Sequence, residues 1–210
     1  MKNVHTIKDE VSKILQEKIG ITPVKTSLHA YPSKTWAQKA SQHLLRGTSL
    51  KGVNLIPNQV RGTYHEGDFS AFIPEDLEDS VQIMYHEYFG HGLQTEYTPL
   101  GSYIHTLGAK WDKELEEANI STNDMLLNLM LNSQTYAKIR AIDEKTVTNC
   151  EGLALWTGWY ISSLRGEDKD FEDLVSYVPE PHVEACVDLI RYSKKYGTKK
   201  MLEDHGYKLE

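Results

Sequence analysis

Apolar residues recur along most of this chain three and four positions apart, the period of helices with one buried face. Ile7, Val11, Ile14 and Leu15 form the first such stripe, with Thr6 placed to cap it and Gly20 to stop it. Ser33 to Arg46 repeats the pattern through Trp36, Ala40 and Leu44, closed by Gly47, and His43 is expected there as a partly exposed helical residue. Residues 51–73 break the period. Gly52-Val53-Asn54-Leu55-Ile56 and Phe69-Ser70-Ala71-Phe72-Ile73 are short β-like runs separated by Gly62, Gly67 and Asp68. They predict a small sheet, either a plain hairpin or an edge to which an extended peptide can add.

Pro74 is read as opening the next helix, with Glu75, Asp76, Glu78 and Asp79 suited to its positive end. Val81, Ile83 and Met84 then carry it into a core. Ala109 to Ala118 is helical, with Trp111 and Leu115 on one side; one of Asp112, Glu114, Glu116 and Glu117 can orient a metal-bound histidine, the others being a solvated face. Met125 to Leu131 is apolar nearly all round, which predicts a buried helix. Glu151 is placed at the start of another, with Leu153, Leu155, Trp156 and Trp159. Asp168-Lys169-Asp170 leads into a short helix through Leu174. Pro181 starts the last long helix, with Val183, Cys186, Val187 and Ile190 inward and Gly197 as its stop. Lys194, Lys195, Lys199 and Lys200 gather near that end as dipole-compatible solvated charges. The pattern predicts one mainly α domain over residues 1–210 with a small β-sheet, and shows no repeat, linker or low-complexity segment.

Composition narrows the class. A chain of 210 residues, 40% of them hydrophobic, is long enough for a substantial core. A net charge of −7 argues against nucleic acid or an anionic membrane as the main partner. The N-terminal residues lead into an amphipathic helix and not an apolar signal core, and no run approaches the roughly 20 apolar residues that span a bilayer. Cys150 and Cys186 are the two cysteines, expected as reduced thiols of a cytoplasmic protein.

The chemistry concentrates in His86-Glu87-Tyr88-Phe89-Gly90-His91. Two imidazoles bracketing a carboxylate supply ligands for a zinc ion and a general base. On a regular helix, residues i and i+5 lie about 140° apart around the axis, against about 40° for i and i+4. His86 and His91 can therefore meet at one metal only across a one-residue bulge of the π type, for which Gly90 supplies backbone freedom. A chain of this composition produces such a motif by accident roughly three or four times in a hundred, so a second feature matters. Cys150-Glu151-Gly152-Leu153-Ala154 opens an apolar helix sixty residues on. Glu151 is placed either as a third ligand or as the returning carboxylate of a capping box begun by Thr148. Cys150 beside it is a further candidate donor.

The paired motifs resemble those of the zinc carboxypeptidases that remove the C-terminal tyrosine of tubulin and of their bacterial relatives named for a Gln-Glu-Gly-Leu-Ala motif. Gly90 before the second histidine is also similar to the His-Glu-x-x-Gly-His of dipeptidyl peptidase III. The resemblance covers only the two motif helices; Cys150 replaces the Gln or Glu of the first family, the interval between motifs is longer, and the double-Glu motif of the second is absent. It implies a gluzincin, zincin-like peptidase domain. His86, His91 and Glu151 would hold one zinc ion per chain, and Glu87 would be the base. An oxyanion donor is expected beside the metal, with His182, Tyr160 and Tyr192 as candidates. The expected partner is a peptide or protein substrate. The rival readings are a helical binding or regulatory module with an inactive motif, and a zinc hydrolase of non-peptide amides.

Overall fold

A helix carrying polar ligands on one side must bury its opposite side to stay in place, and the fold is arranged around that need. The computed structural model describes residues 3–50, 52–57, 59–167, 175–176 and 178–209. In chain order the elements are α1 (Val4–Ile19), β1 (Ser27–Tyr31), α2 (Trp36–Leu44), β2 (Thr63–His65), β3 (Ser70–Pro74), α3 (Ser80–Met84), a π-helical turn (Tyr85–His91), α4 (Gly92–Tyr97), α5 (Pro99–Glu117), α6 (Asn123–Asn132), α7 (Gln134–Arg165), α8 (Glu180–Tyr196) and α9 (Thr198–Asp204). The protein is mainly helical, with one three-stranded sheet among the described residues.

The segment α3–π turn–α4 is one continuous helix, hereafter the motif helix. Tyr85, Phe89 and Leu93 recur at four-residue spacing along its buried side. They share the main core with Val11, Leu15 and Ile19 of α1, Leu155, Trp156 and Ile161 of α7, and Cys186 and Leu189 of α8. Each large apolar side chain buried this way contributes about 1.5–3 kcal/mol. That hydrophobic anchor holds the other side of the helix, with its histidines, toward a cleft.

The sheet has strand order β1-β3-β2. β3 is central and buried at every position; it pairs parallel with β1 (Ser27 opposite Ser70) and antiparallel with β2 (Tyr64 opposite Ala71). Phe69–Ile73 is thus a strand, shifted by one residue from the expectation. Gly52–Ile56 is not. There Ser41 Oγ accepts from Leu55 N–H at 2.9 Å and Asn54 Oδ1 from Ile56 N–H at 3.1 Å, so side chains take the amides a ladder would use. The remaining neighbour is β1, a strand of mixed polarity that pattern reading passes over.

Other boundaries move for identifiable reasons. Asn3, not Thr6, caps α1 by accepting from His5 N–H. Pro74 closes β3, and the motif helix starts at Ser80; Asp76 instead accepts from Ser33 N–H and Asp79 pairs with Arg61. Only Leu126 of α6 is buried, while Leu127 and Leu131 are 55% and 76% exposed, so this apolar helix lies at the surface. α7 is unbroken from its cap at Ser133, which places Thr148 and Glu151 mid-helix and removes the capping box. α8 runs to Gly197 as expected, with a left-handed φ of 93° there. The short helix expected through Leu174 lies outside the described residues. No described helix is long and apolar enough to cross a membrane.

Candidate metal centre

The π turn resolves the spacing problem set by the sequence. Hydrogen bonds from i to i+5 widen one turn, so residues five apart fall on the same face. His86 and His91 occupy that relation within Tyr85–His91. Their rings meet edge to face with centroids 4.8 Å apart, and their Nε2 atoms are 3.2 Å apart. Gly90 does not use left-handed backbone to achieve this. Its role is close approach: a Cβ there would sit 2.7 Å from Ala154 Cα and 2.8 Å from Ala154 Cβ on α7. Ala154 belongs to the Glu-Gly-Leu-Ala stretch, and Gly152 is similarly required, since its Cβ would lie 2.5 Å from Ala185 Cβ on α8. The small residues of both motifs bring three helices together.

That packing delivers Glu151 to the histidines. Its Oε2 is 3.1 Å from His86 Nε2 and its Oε1 3.5 Å from His91 Nε2. Two ligands about 2.1 Å from a zinc ion at the tetrahedral angle lie roughly 3.4 Å apart. The three side chains thus place donors at the separations of a tetrahedron's edges, and one ligand atom from each lies within 4.8 Å of the others. Donor types agree as well, two neutral imidazoles and one carboxylate. His86 Nδ1 is buried without a hydrogen-bond partner, so Nε2 is the ring's anchored nitrogen. The residues fit a zinc ion.

The metal-free cluster is held by charge. Burial alone would lower His86, but the Glu151 contact and the charges of Glu87 and Glu151 raise it above its ordinary value. Burial pulls His91 down to about 4. Burial would raise Glu151, yet the His91 and His86 interactions bring it to about 2.

Glu87 faces the same cavity, of about 430 Å³, together with the three donor side chains. Burial raises its carboxyl to about 8. The backbone at Gly62 covers it, where a Cβ would lie 2.7 Å from Glu87 Cγ and 2.9 Å from Oε1. The wall opposite the motif helix is formed by Gly62, Thr63 and Tyr64 at the outer strand of the sheet. Tyr64 sits with its ring 6.0 Å from His91, and its hydroxyl meets Thr26 Oγ1 at 3.2 Å.

Of the three oxyanion candidates, His182 lines this cavity from the first turn of α8. Tyr160 stacks on Trp156 at 5.2 Å and lies outside the lining. Tyr192 donates to Asp204 Oδ2 at 2.6 Å and is likewise elsewhere. None of the four acids of residues 112–117 lines the cavity. Asp112 pairs with Arg46 and His65, and Glu114 accepts from Ser133 and Thr135. Cys150 is a free thiol, raised by burial, and is not grouped with the three donors.

Sequence reasoning missed Gly62, Tyr64 and Glu66, which line the cavity from β2 and its flanks. Their only signal was position, in the glycine-punctuated stretch just upstream of the motif. No family model, curated protein or solved structure matches the chain.

Proposed function

We propose that the protein is a zinc-dependent peptidase, with His86, His91 and Glu151 as the metal ligands and Glu87 as the general base. The observation that carries this reading is the π turn. It costs regular helical hydrogen bonding yet sets two histidines and a carboxylate from a second helix at the spacing of a tetrahedral metal, in a cavity that also holds a second carboxylate.

When bound, zinc supplies Lewis acidity, acidifying water and polarising a carbonyl. Glu87 is buried and makes no hydrogen bond to another side chain among the described residues; burial favours its neutral form, and beside the charge of a zinc ion it would revert to the carboxylate, which could then accept a proton from water and return it to the leaving amine. Gly62 shields it from bulk solvent. His182 can donate to an oxyanion from across the cavity. β2 is an edge strand whose flank forms the cavity wall, so an extended peptide can lie along it by backbone pairing. The sequence resemblance to zinc peptidases of the His-Glu-x-x-x-His type agrees with the roles of His86, His91, Glu151 and Glu87.

Glu87→Gln tests the reading. The amide is nearly isosteric but cannot accept the proton. Zinc content and melting temperature should stay unchanged, while cleavage of a peptide library falls by about three orders of magnitude or more. Retained turnover would remove Glu87 as the base. A zinc-loaded wild-type protein that cleaves non-peptide amides but no peptide would reassign the substrate class.

A further inference from the structure

A second cavity, of about 360 Å³, backs onto the first, and Glu66, His91 and Glu151 line both. Its remaining ionisable lining is Asp143, Cys150 and His205; no lysine or arginine contributes among the described residues. Glu66 is the unusual member. It follows β2 directly, and its carbonyl accepts from His105 Nδ1–H at 2.7 Å. The turn after it is pressed onto α5, where a Cβ on Gly67 would lie 2.9 Å from the Gly108 carbonyl carbon. Glu66 is half-buried between the two cavities, its carboxyl makes no hydrogen bond or ion pair to another residue among the described residues, and desolvation raises it above the usual carboxylate range. Asp143, at the exposed face of α7, is raised by desolvation too.

A carboxyl partly withdrawn from water without a counter-charge is costly, and an arriving cation relieves that cost by supplying the missing charge. We propose that this second cavity is a subsite for an ammonium or guanidinium group, with Glu66 as the inner anchor, where the two cavities meet, and Asp143 as the acid at its mouth. The proposal rests on the peptidase reading for its source, a lysine or arginine side chain or the free α-amine of a peptide. The two carboxyls and the absence of a cationic lining residue carry it. Glutamate and aspartate side chains of a substrate are excluded by the same charges.

Binding to the zinc-loaded protein, measured by calorimetry, tests this without turnover. Nα-acetyl-lysine amide should bind at least tenfold tighter than Nα-acetyl-norleucine amide, which has a similar stem and no charge. Alanine amide against Nα-acetyl-alanine amide tests the α-amine, and tighter binding of either charged probe supports a cation subsite and names its source. Glu66→Gln should bring the preferred probe and its neutral partner within about twofold. Asp143→Lys, on an exposed helix face, should cut the ratio by about fivefold and serves if Glu66→Gln fails to fold. Equal binding of charged and neutral probes, or a ratio untouched by the variants, overturns the proposal even if peptides are cleaved. A protein that prefers the cationic probe but cleaves no peptide keeps the subsite and loses the peptidase reading.

Discussion

Two histidine–carboxylate clusters stand among the described residues, and they differ in who supplies the positive charge. His86, His91 and Glu151 form one; His43, His65 and Asp68 form the other. In the second, His43 Nε2 lies 2.5 Å from Asp68, His65 Nδ1 lies 3.0 Å from Asp68, and His65 Nε2 lies 3.2 Å from Asp112. Arg46 closes the network, 3.0 Å from Asp68 and 2.7 Å from Asp112. The chain has brought its own cation, permanently charged and bonded to both acids. Around His86 and His91 no arginine or lysine pairs with Glu151 among the described residues, one ring nitrogen is orphaned, and the donors face a cavity. Residue types and distances are alike; Arg46 bonds the acids of one cluster and makes it a brace, whereas Arg61, which lines the other cluster's cavity, pairs with Asp79 and leaves Glu151 to the histidines.

The largest expected effect breaks the comparison directly. His86→Ala and His91→Ala should each abolish tight zinc binding, while His43→Ala and His65→Ala should leave about one zinc per chain, read by elemental analysis after gel filtration. Zinc lost from the His43 or His65 variants and kept in the other pair would invert the assignment.

Next in size is Glu151→Gln. With α7 continuous through this position, no capping role competes. Replacing an anionic donor by a neutral amide should lower zinc affinity by about tenfold or more, and the metal-free protein should also melt lower at neutral pH, because the Glu151 charge that faces His86 is lost. Unchanged affinity would mean that two histidines alone define the site, and the tetrahedral spacing would be incidental.

The first cluster was largely legible in the sequence, and the second was not, for physical reasons. A one-residue surplus between His86 and His91 allows one helical solution, so the π turn followed from spacing. Glu151 was ambiguous because Thr148 and Glu151 also match a cap; only the unbroken α7, fixed by packing at both ends, removes that alternative. The His43–His65–Asp68 cluster joins α2, β2 and the β2–β3 turn, with Arg46 and Asp112 added from beyond α2 and from α5, and no local period marks such a junction. β1 was missed because Ser27, Leu28, His29, Ala30 and Tyr31 take their order from the buried neighbour β3 and not from their own pattern. α6 was misjudged because apolarity all round does not say which neighbours exist; Leu127 and Leu131 have none that bury them.

The smallest expected effect sharpens the meaning of the brace. Burial would lower His65, but bonds and charges from Asp112 and Asp68 carry it up to about 9. Burial would raise Asp68, but His43, His65 and Ser70 hold it well below the usual carboxylate range. A histidine raised on folding contributes stability fully below its ordinary value near 6.5 and loses it as pH climbs through about 9. A carboxylate lowered on folding contributes above its ordinary value near 3.8 and loses it as pH falls. The cluster should therefore support the β2 corner most between roughly pH 4 and 6.5. His65→Gln should lower stability at pH 6 by about 2 kcal/mol, and by clearly less at pH 9.5, where the wild-type histidine is largely neutral. Urea unfolding of both proteins in chelator at the two pH values measures this, since titration of the empty metal cluster is common to both and cancels in the difference. Parallel stability curves would show that His65 is held by packing against β2 and α5 and not by its charge.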